Sequence, residues 1–383
     1  MLFSSVVGNV ALQQRLRRLI TEGRMPHASL LLAREGTGGL PLALALASYL
    51  VCENRAEEDS CGTCASCIKS MKAIHPDVHY TFPTIRLEKQ KSPPVSADFM
   101  VEWRSAIRNH PFMSVTEWLS TLGEEGKQGN ITTQECHAII KQLSLKSFES
   151  AVKVQIIWMA DYLRENANTL LKVIEEPPLG TYFILVAEQP DQLLPTLISR
   201  TQVFRTVAPS DEELQSFLMR EFPEQSQSQA IQEAIRMADG NVNLASRLVA
   251  GAETGMEDVM IRWFQLIRQL TKSPGELEAK SFFGWIDQMD KTGRENQKLF
   301  VSYTLHFVHE AALAYKRFPH FRLSEAEKTL ARSLTNLSRP EVVDELLQLL
   351  NQLHTLIERN AHGKTQFVHA SFRMARVLAG QLS

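Results

Sequence analysis

Cys52, Cys61, Cys64 and Cys67 place four thiols within positions 52–67, spaced C-x8-C-x2-C-x2-C. Two overlapping C-x2-C knuckles, closed by a fourth thiolate on the end of the preceding helix, suit tetrahedral Zn²⁺. Four protein ligands leave no open position, so such an ion is structural and not catalytic. Gly62 permits the tight turn within Cys61-Gly62-Thr63-Cys64. Buried free thiols, a redox pair and an iron–sulfur ligand set are the alternatives, although nothing nearby suggests electron transfer. His75 reads as a loop residue leading into Val78 to Tyr80, and Cys136 as a small core residue.

A second constellation lies upstream, in Ala33-Arg34-Glu35-Gly36-Thr37-Gly38-Gly39-Leu40. An apolar strand runs into this glycine-rich turn and an apolar helix leaves it, which is the setting of a phosphate-binding loop. The pattern G-x-x-x-x-G-K-[ST] needs glycine at 33, lysine at 39 and a hydroxyl at 40. The chain has Ala33, Gly39 and Leu40, so Gly36, Gly38 and Gly39 keep part of the geometry without the phosphate chemistry. A Mg²⁺-holding acidic pair is expected at the end of a later strand. Those positions carry Trp158 and Met159, while Asp161 lies further on and reads as a helix cap. Two losses at the two essential places describe a decayed ATPase better than a chance glycine turn, and no functional ATP site is expected in cis.

The elements that must hold these residues alternate. Strands are expected at Ser29–Leu32, Lys153–Trp158, Tyr182–Val186 and Thr201–Phe204, and a buried helix at Pro41–Val51. Thr132-x-x-Glu135 opens a helix through Leu143 as a capping box. Asn166–Glu176 is a further helix, stopped by Pro177-Pro178. Strands separated by helices imply an α/β parallel sheet. Residues 80–129 interrupt the rhythm and read as an insertion, with an exposed loop over 87–97 and short helices around Trp103 and Trp118. After Val207 the pattern turns helical, with a linker at 251–255 and a late apolar series from Val343 to Ile357 that reads as helix core. The expected domains are 1–206, 207–255 and 256–383.

Composition bounds the function. The chain has 383 residues, 44% hydrophobic and 22% charged, with a formal charge of −2. That suits two or three soluble domains and gives no bulk basicity for nucleic acid. No apolar run reaches membrane length and the first ten residues lack a signal-peptide pattern, so a cytoplasmic protein is expected.

Several motifs together resemble the delta-prime family of clamp loader subunits, AAA+ proteins of the bacterial DNA polymerase III holoenzyme. They are Val7-Gly8-Asn9 with Arg24-Met25-Pro26-His27-Ala28, the cysteine module after the glycine-turn helix, and Asn168 to Pro178 as N-x-L-L-K-x-x-E-E-P-P. Gln189-Pro190-Asp191 and Leu194 to Arg200 follow, where Thr201 replaces the cysteine of a Ser-Arg-Cys motif. Glu358-Arg359-Asn360-Ala361 with Lys364 more loosely resembles the family's collar. The resemblance implies an AAA+ P-loop-type sheet domain with a zinc module, a small helical lid (207–255) and a helical collar (256–383). It implies a non-hydrolysing stator that assembles with motor (gamma/tau) and delta subunits and helps place the sliding clamp on primed DNA. It implies that Arg200, set by Ser199, is an arginine finger for a neighbour's ATP. Arg247 matches the sensor 2 position and, without nucleotide, is expected in a structural ion pair. Glu175 and Glu176 read as solvated at a helix end or as interdomain contacts. The rivals are an active AAA+ motor or DNA-remodelling ATPase, and a zinc-dependent DNA-binding module, for which basic and aromatic interleaving around Cys61–Cys67 is missing.

Overall fold

Successive side chains of a strand point to opposite faces, and this alternation sorts the first part of the chain into two cores. The computed structural model describes residues 1–87, 92–123, 128–225, 229–250, 255–272, 279–316, 323–358 and 361–381. Three expectations reach beyond them: residues 88–91 of the 87–97 loop, most of the 251–255 linker, and Arg359 and Asn360 of the collar motif. The chain divides into two compact units, Met1–Val249 and Ala250–Ser383.

In the first unit β1 (Ala28–Leu32), β2 (Val78–Thr81), β3 (Lys153–Trp158), β4 (Thr181–Ala187) and β5 (Gln202–Arg205) form one sheet in the order β2-β3-β4-β1-β5. Every described pairing is parallel. The expected α/β parallel architecture is therefore present. The fifth strand, β2, escaped the sequence pattern because it follows the loop residues His75-Pro76-Asp77 directly. It also moves the start of the insertion from residue 80 to beyond Thr81, and β5 begins one residue later than expected.

The helices are α1 (Val10–Thr21), α2 (Gly39–Val51), α3 (Ala65–Met71), α4 (Met100–Asn109), α5 (Val115–Thr121), α6 (Thr133–Ser144), α7 (Leu171–Glu175), α8 (Pro195–Ile198), α9 (Asp211–Glu221), α10 (Gln229–Ala238) and α11 (Val242–Val249). Leu31, Ile156, Trp158, Ile184 and Val186 face α2 and the insertion. Leu30, Leu32, Ile157, Phe183 and Leu185 face α6 and Leu163 to Ile174. Every residue of α2 is buried, as expected of a helix apolar all round. Helix α6 starts as expected, with Glu135 N–H donating to Thr132 Oγ1 at 3.1 Å. Its Glu135 does not close the capping box, however. It accepts instead from Thr81 Oγ1 at 2.7 Å and Ser96 N–H at 2.8 Å, tying α6 to β2 and the insertion. The expected helix over 166–176 is also different. A 3-10 stretch spans Ala160–Leu170, broken at Arg164 (φ 49°, ψ −132°), and α-helix covers only Leu171–Glu175. The apolar spacing survives because Ala167, Leu170 and Ile174 are buried in either form.

The insertion has its own stem and core. Thr84 and Asn130 exchange backbone hydrogen bonds at 3.0 Å across its base. Above them Trp103 stacks on Phe82 with centroids 4.2 Å apart and meets Trp118 edge-on at 5.2 Å. Helices α9, α10 and α11 form a separate apolar cluster around Leu214, Leu218, Ile231 and Val242.

The second unit is helical throughout its described residues: α12 (Met256–Lys272), α13 (Ala279–Lys291), α14 (Arg294–Tyr315), α15 (Glu325–Ser333), α16 (Pro340–Glu358) and α17 (Gly363–Leu378). Trp263 centres it, stacked on Trp285 at 5.3 Å and donating from Nε1 to Ser371 Oγ at 2.8 Å. The apolar series of α16, from Val343 through Leu346, Leu350 and Leu353 to Ile357, is buried as expected of core. Among the described residues no helix is long and apolar enough to cross a membrane.

Candidate functional site

Three features occupy the first unit: the cysteine centre, the glycine turn with its strand-end neighbours, and Arg200. Cys52 ends α2, and Cys64 caps α3, accepting from Cys67 N–H at 3.4 Å. The four Sγ atoms lie within 4.8 Å of one another, and no other metal-competent group of His, Cys, Asp and Glu occurs among the described residues. Cys52 and Cys61 sulfurs are 3.6 Å apart, and those of Cys61 and Cys67 3.9 Å. Tetrahedral zinc with ~2.3 Å bonds separates its sulfurs by about 3.8 Å. All four cysteines are free thiols, so donor set and spacing fit a single soft ion such as zinc. Backbone N–H groups of Cys64 and Thr63 pull the Cys61 pKa down to about 6, whereas burial pushes Cys52 and Cys67 up. An ion would have to draw out those last protons. His75 stays apart, its Nδ1 accepting from Asp77 N–H at 3.1 Å, and Cys136 is buried elsewhere.

The turn after β1 is built on left-handed glycines, Gly36 at φ 70° and Gly38 at φ 95°, the latter capping α2. Gly39 differs. A Cβ there would come within 2.6 Å of Ala33 Cβ and 3.0 Å of Val186 Cγ1. Ala33 therefore fills the space that a side chain at position 39 would need, and the two departures from the phosphate-loop pattern form a matched pair. Leu40 is buried and offers no hydroxyl. At the end of β3, Trp158 and Met159 are only 3% and 2% exposed.

Asp161 is not a helix cap. It lies inside the 3-10 stretch, 1% exposed, with Oδ1 lacking a hydrogen-bond partner. Burial raises its pKa to about 6. Glu188, next after β4, is raised well above the usual range by burial and then by the charges of Glu35 and Asp161. Burial thus favours the neutral form of both carboxyls at the strand ends. It also predicts a pH effect. A carboxyl with a raised folded pKa contributes its full stability below the unfolded value, near 4, and loses it as pH rises through about 6. Asp161→Asn should thus leave stability unchanged near pH 4 and raise it by about 2–3 kcal/mol at pH 8. Urea unfolding at the two pH values reads this directly. An equal effect at both would contradict it.

Arg200 follows α8 and leads into β5. Its Nε donates to Glu175 Oε2 at 2.8 Å and its Nη1 to the Thr196 carbonyl at 3.1 Å. Ser199 Oγ donates to the same carbonyl at 3.1 Å, so both residues are fixed on one short helix. Glu175, read from sequence as solvated at a helix end or as an interdomain contact, is 57% exposed and pairs with Arg200 within this unit. Arg247 faces Glu117 at 3.6 Å, the structural ion pair expected of it. Sequence reasoning missed Phe112 and Asn241, which lie against Gly38 and Gly36 of the turn, Glu188 after β4, and Glu117, which faces Asn243 and Arg247 of α11. Ser114 and Glu117 form a capping box at the start of α5, and local spacing does not announce the partners of Glu117 across the fold.

A family model described as DNA polymerase III, delta subunit, matches residues 8–209. The DNA polymerase III subunit delta' of Escherichia coli (strain K12) is 29% identical over 232 residues, covering 60% of this chain and 56% of that protein. The subunit delta' of Bacillus subtilis (strain 168) is 31% identical over 196 residues, covering 50% and 46%. A subunit gamma of Buchnera aphidicola subsp. Acyrthosiphon pisum is 25% identical over 217 residues, covering 56% and 48%. The chain spans about half the length of the curated relatives it matches. Among solved structures, a gamma subunit-related protein of Thermotoga maritima has a TM-score of 0.43 at 16% identity, covering 96% of this chain and 99% of that one.

Proposed function

Since this chain belongs to the DNA polymerase III, delta subunit family, we propose that it is a delta-prime-type subunit of a bacterial clamp loader that acts as a stator without turning over ATP itself. One observation carries the reading. The lysine, hydroxyl and acidic positions of an ATPase hold Gly39, Leu40, Trp158 and Met159, three of them buried and apolar, while Arg200 is kept near the surface and braced by Glu175. An arginine presented to a neighbour's γ-phosphate stabilises transition-state charge, worth roughly 10³–10⁵ in rate in GTPase examples. In this reading residues 1–206 form the AAA+ domain, 207–255 the lid and 256–383 the collar that joins motor (gamma/tau) and delta subunits. Cys52, Cys61, Cys64 and Cys67 hold a structural Zn²⁺. Coordination there would need all four sulfurs as thiolates and would fix the start of α3, with no part in the chemistry. The partners reached through the assembly are the sliding clamp and primed DNA, and the compartment is the cytoplasm.

The competing reading is an active AAA+ motor. The test is the ATPase activity of motor and delta subunits reconstituted with and without this chain, alongside Mg-ATP turnover by the chain alone.

A further inference from the structure

We propose that the helical insertion between β2 and α6 is an internal plug, which closes the nucleotide cleft by clamping the lid helices onto the glycine turn. The inference rests on the reading of that cleft as a decayed nucleoside triphosphate site, and gives the insertion a role in it.

The insertion reaches all three walls of the cleft. At the strand ends, Trp103 of α4 is fully buried and its ring lies 5.3 Å from that of Trp158, the residue at the first acidic position. Along the turn, the Phe112 ring lies against Gly38, where an added Cβ would be 3.5 Å from Phe112 Cε1. Phe112 also meets Phe217 of α9 edge-on at 5.5 Å, within the core that contains Leu214, Leu218 and Val242. On the lid, Glu117 of α5 accepts from Asn243 Nδ2 at 2.6 Å and pairs with Arg247 at 3.6 Å. Its carboxylate thus stands beside Arg247 of the lid as an anionic ligand would. The same carboxylate accepts from Ser114 N–H at 2.7 Å, which fixes its direction.

The lid held in this way closes on the turn itself. Val242 N–H donates to the Gly36 carbonyl at 2.8 Å. Asn241 Oδ1 sits 1.8 Å from where a Cβ on Gly36 would be, so its side chain fills the space above that glycine. Leu244 N–H donates to that oxygen at 2.9 Å and pins it there. Backbone groups of a phosphate loop work only when an anion can approach them. Here Asn241 covers Gly36 and Phe112 covers Gly38. Loss of nucleotide binding is accordingly built twice, once in the missing side chains and once in the plug, and restoring the side chains alone does not reopen the cleft.

Two measurements on the full chain test this. In hydrogen–deuterium exchange, Phe112→Ala with Glu117→Gln should speed exchange over residues 36–42 and 241–249 by about tenfold or more, with β1, β3 and β4 unchanged. Glu117→Gln alone keeps the shape of the side chain and should give about fivefold over 241–249. Unchanged exchange in the doubly substituted chain overturns the proposal. In the second, Ala33→Gly, Gly39→Lys and Leu40→Thr restore the loop pattern, and a fluorescent Mg-ATP analogue is titrated with and without the two plug substitutions. Tighter binding by about tenfold or more when the plug is removed supports the proposal. Equal affinity, or no binding by either chain, overturns it. Failure of the stator reading would appear elsewhere, in the ATPase of the assembly, while the plug is judged on the chain alone.

Discussion

Cys67→Ser should lower bound zinc from about one ion per chain to near zero and destabilise the first unit by about 4 kcal/mol or more. Cys67 lies in the first turn of α3 and is 1% exposed. Removing its thiolate leaves buried Cys52 beside a broken ligand set, in surroundings that already push both thiols toward the neutral form. Helix α3 has seven residues, too few to persist without a tertiary anchor. The effect spreads because the module ties down other chain. Asp59 accepts from Phe3 and Ser4 N–H at 2.9 Å each, and Lys69 pairs with Glu149 at 2.6 Å ahead of β3. Metal analysis and urea unfolding check both halves of the expectation. Retained zinc would remove Cys67 from the ligand set, and iron in the natural chain would replace the structural-zinc reading.

Trp103→Ala should cost about 3–5 kcal/mol, the range for emptying a large aromatic site in a close-packed core. The ring touches Tyr80, Phe82, Trp118 and Trp158, so its loss opens a void between the insertion and the sheet. For a unit of this size that is roughly 10 °C in melting temperature. Trp103→Phe should cost much less, about 1–2 kcal/mol, because the Trp103 Nε1 donor has no hydrogen-bond partner that would be lost. Trp118 differs, donating from Nε1 to the Pro83 carbonyl at 2.7 Å. A loss below about 1 kcal/mol for Trp103→Ala would mean that the insertion is an appendage and not part of the core.

What could be read in the sequence was whatever depends on local spacing. The cysteine knuckles, the apolar runs of β1, β3 and β4, and the buried series of α16 follow from periods of two and 3.6 and from ligand spacing, and they fold as expected. Strand β2 is masked by the loop residues His75-Pro76-Asp77 directly before it. The 3-10 form of Ala160–Leu170 was hidden because its buried positions also fit an α-helix, and the break at Arg164 has no glycine or proline to announce it. Glu135 shows the limit of a capping box as a sign, since its carboxylate is taken by Thr81 and Ser96 from other elements. The same limit explains the insertion. Phe112 and Glu117 look like ordinary loop and helix-start residues until the fold brings Gly38, Asn243 and Arg247 to them. The missing lysine was visible at once, but its pairing with Ala33 needed the close approach of the two Cβ positions.

On the proposed reading, this chain turns over no ATP itself and promotes turnover in a neighbour through Arg200. The most direct measurement is the ATPase rate of motor and delta subunits assembled without this chain, with the natural chain, and with Arg200→Ala. The natural chain should raise the rate. Arg200→Ala should co-assemble fully yet lose that increase, up to ~10³ at the one site it faces. An undiminished rate with Arg200→Ala, or Mg-ATP turnover by the isolated chain, would contradict the stator role.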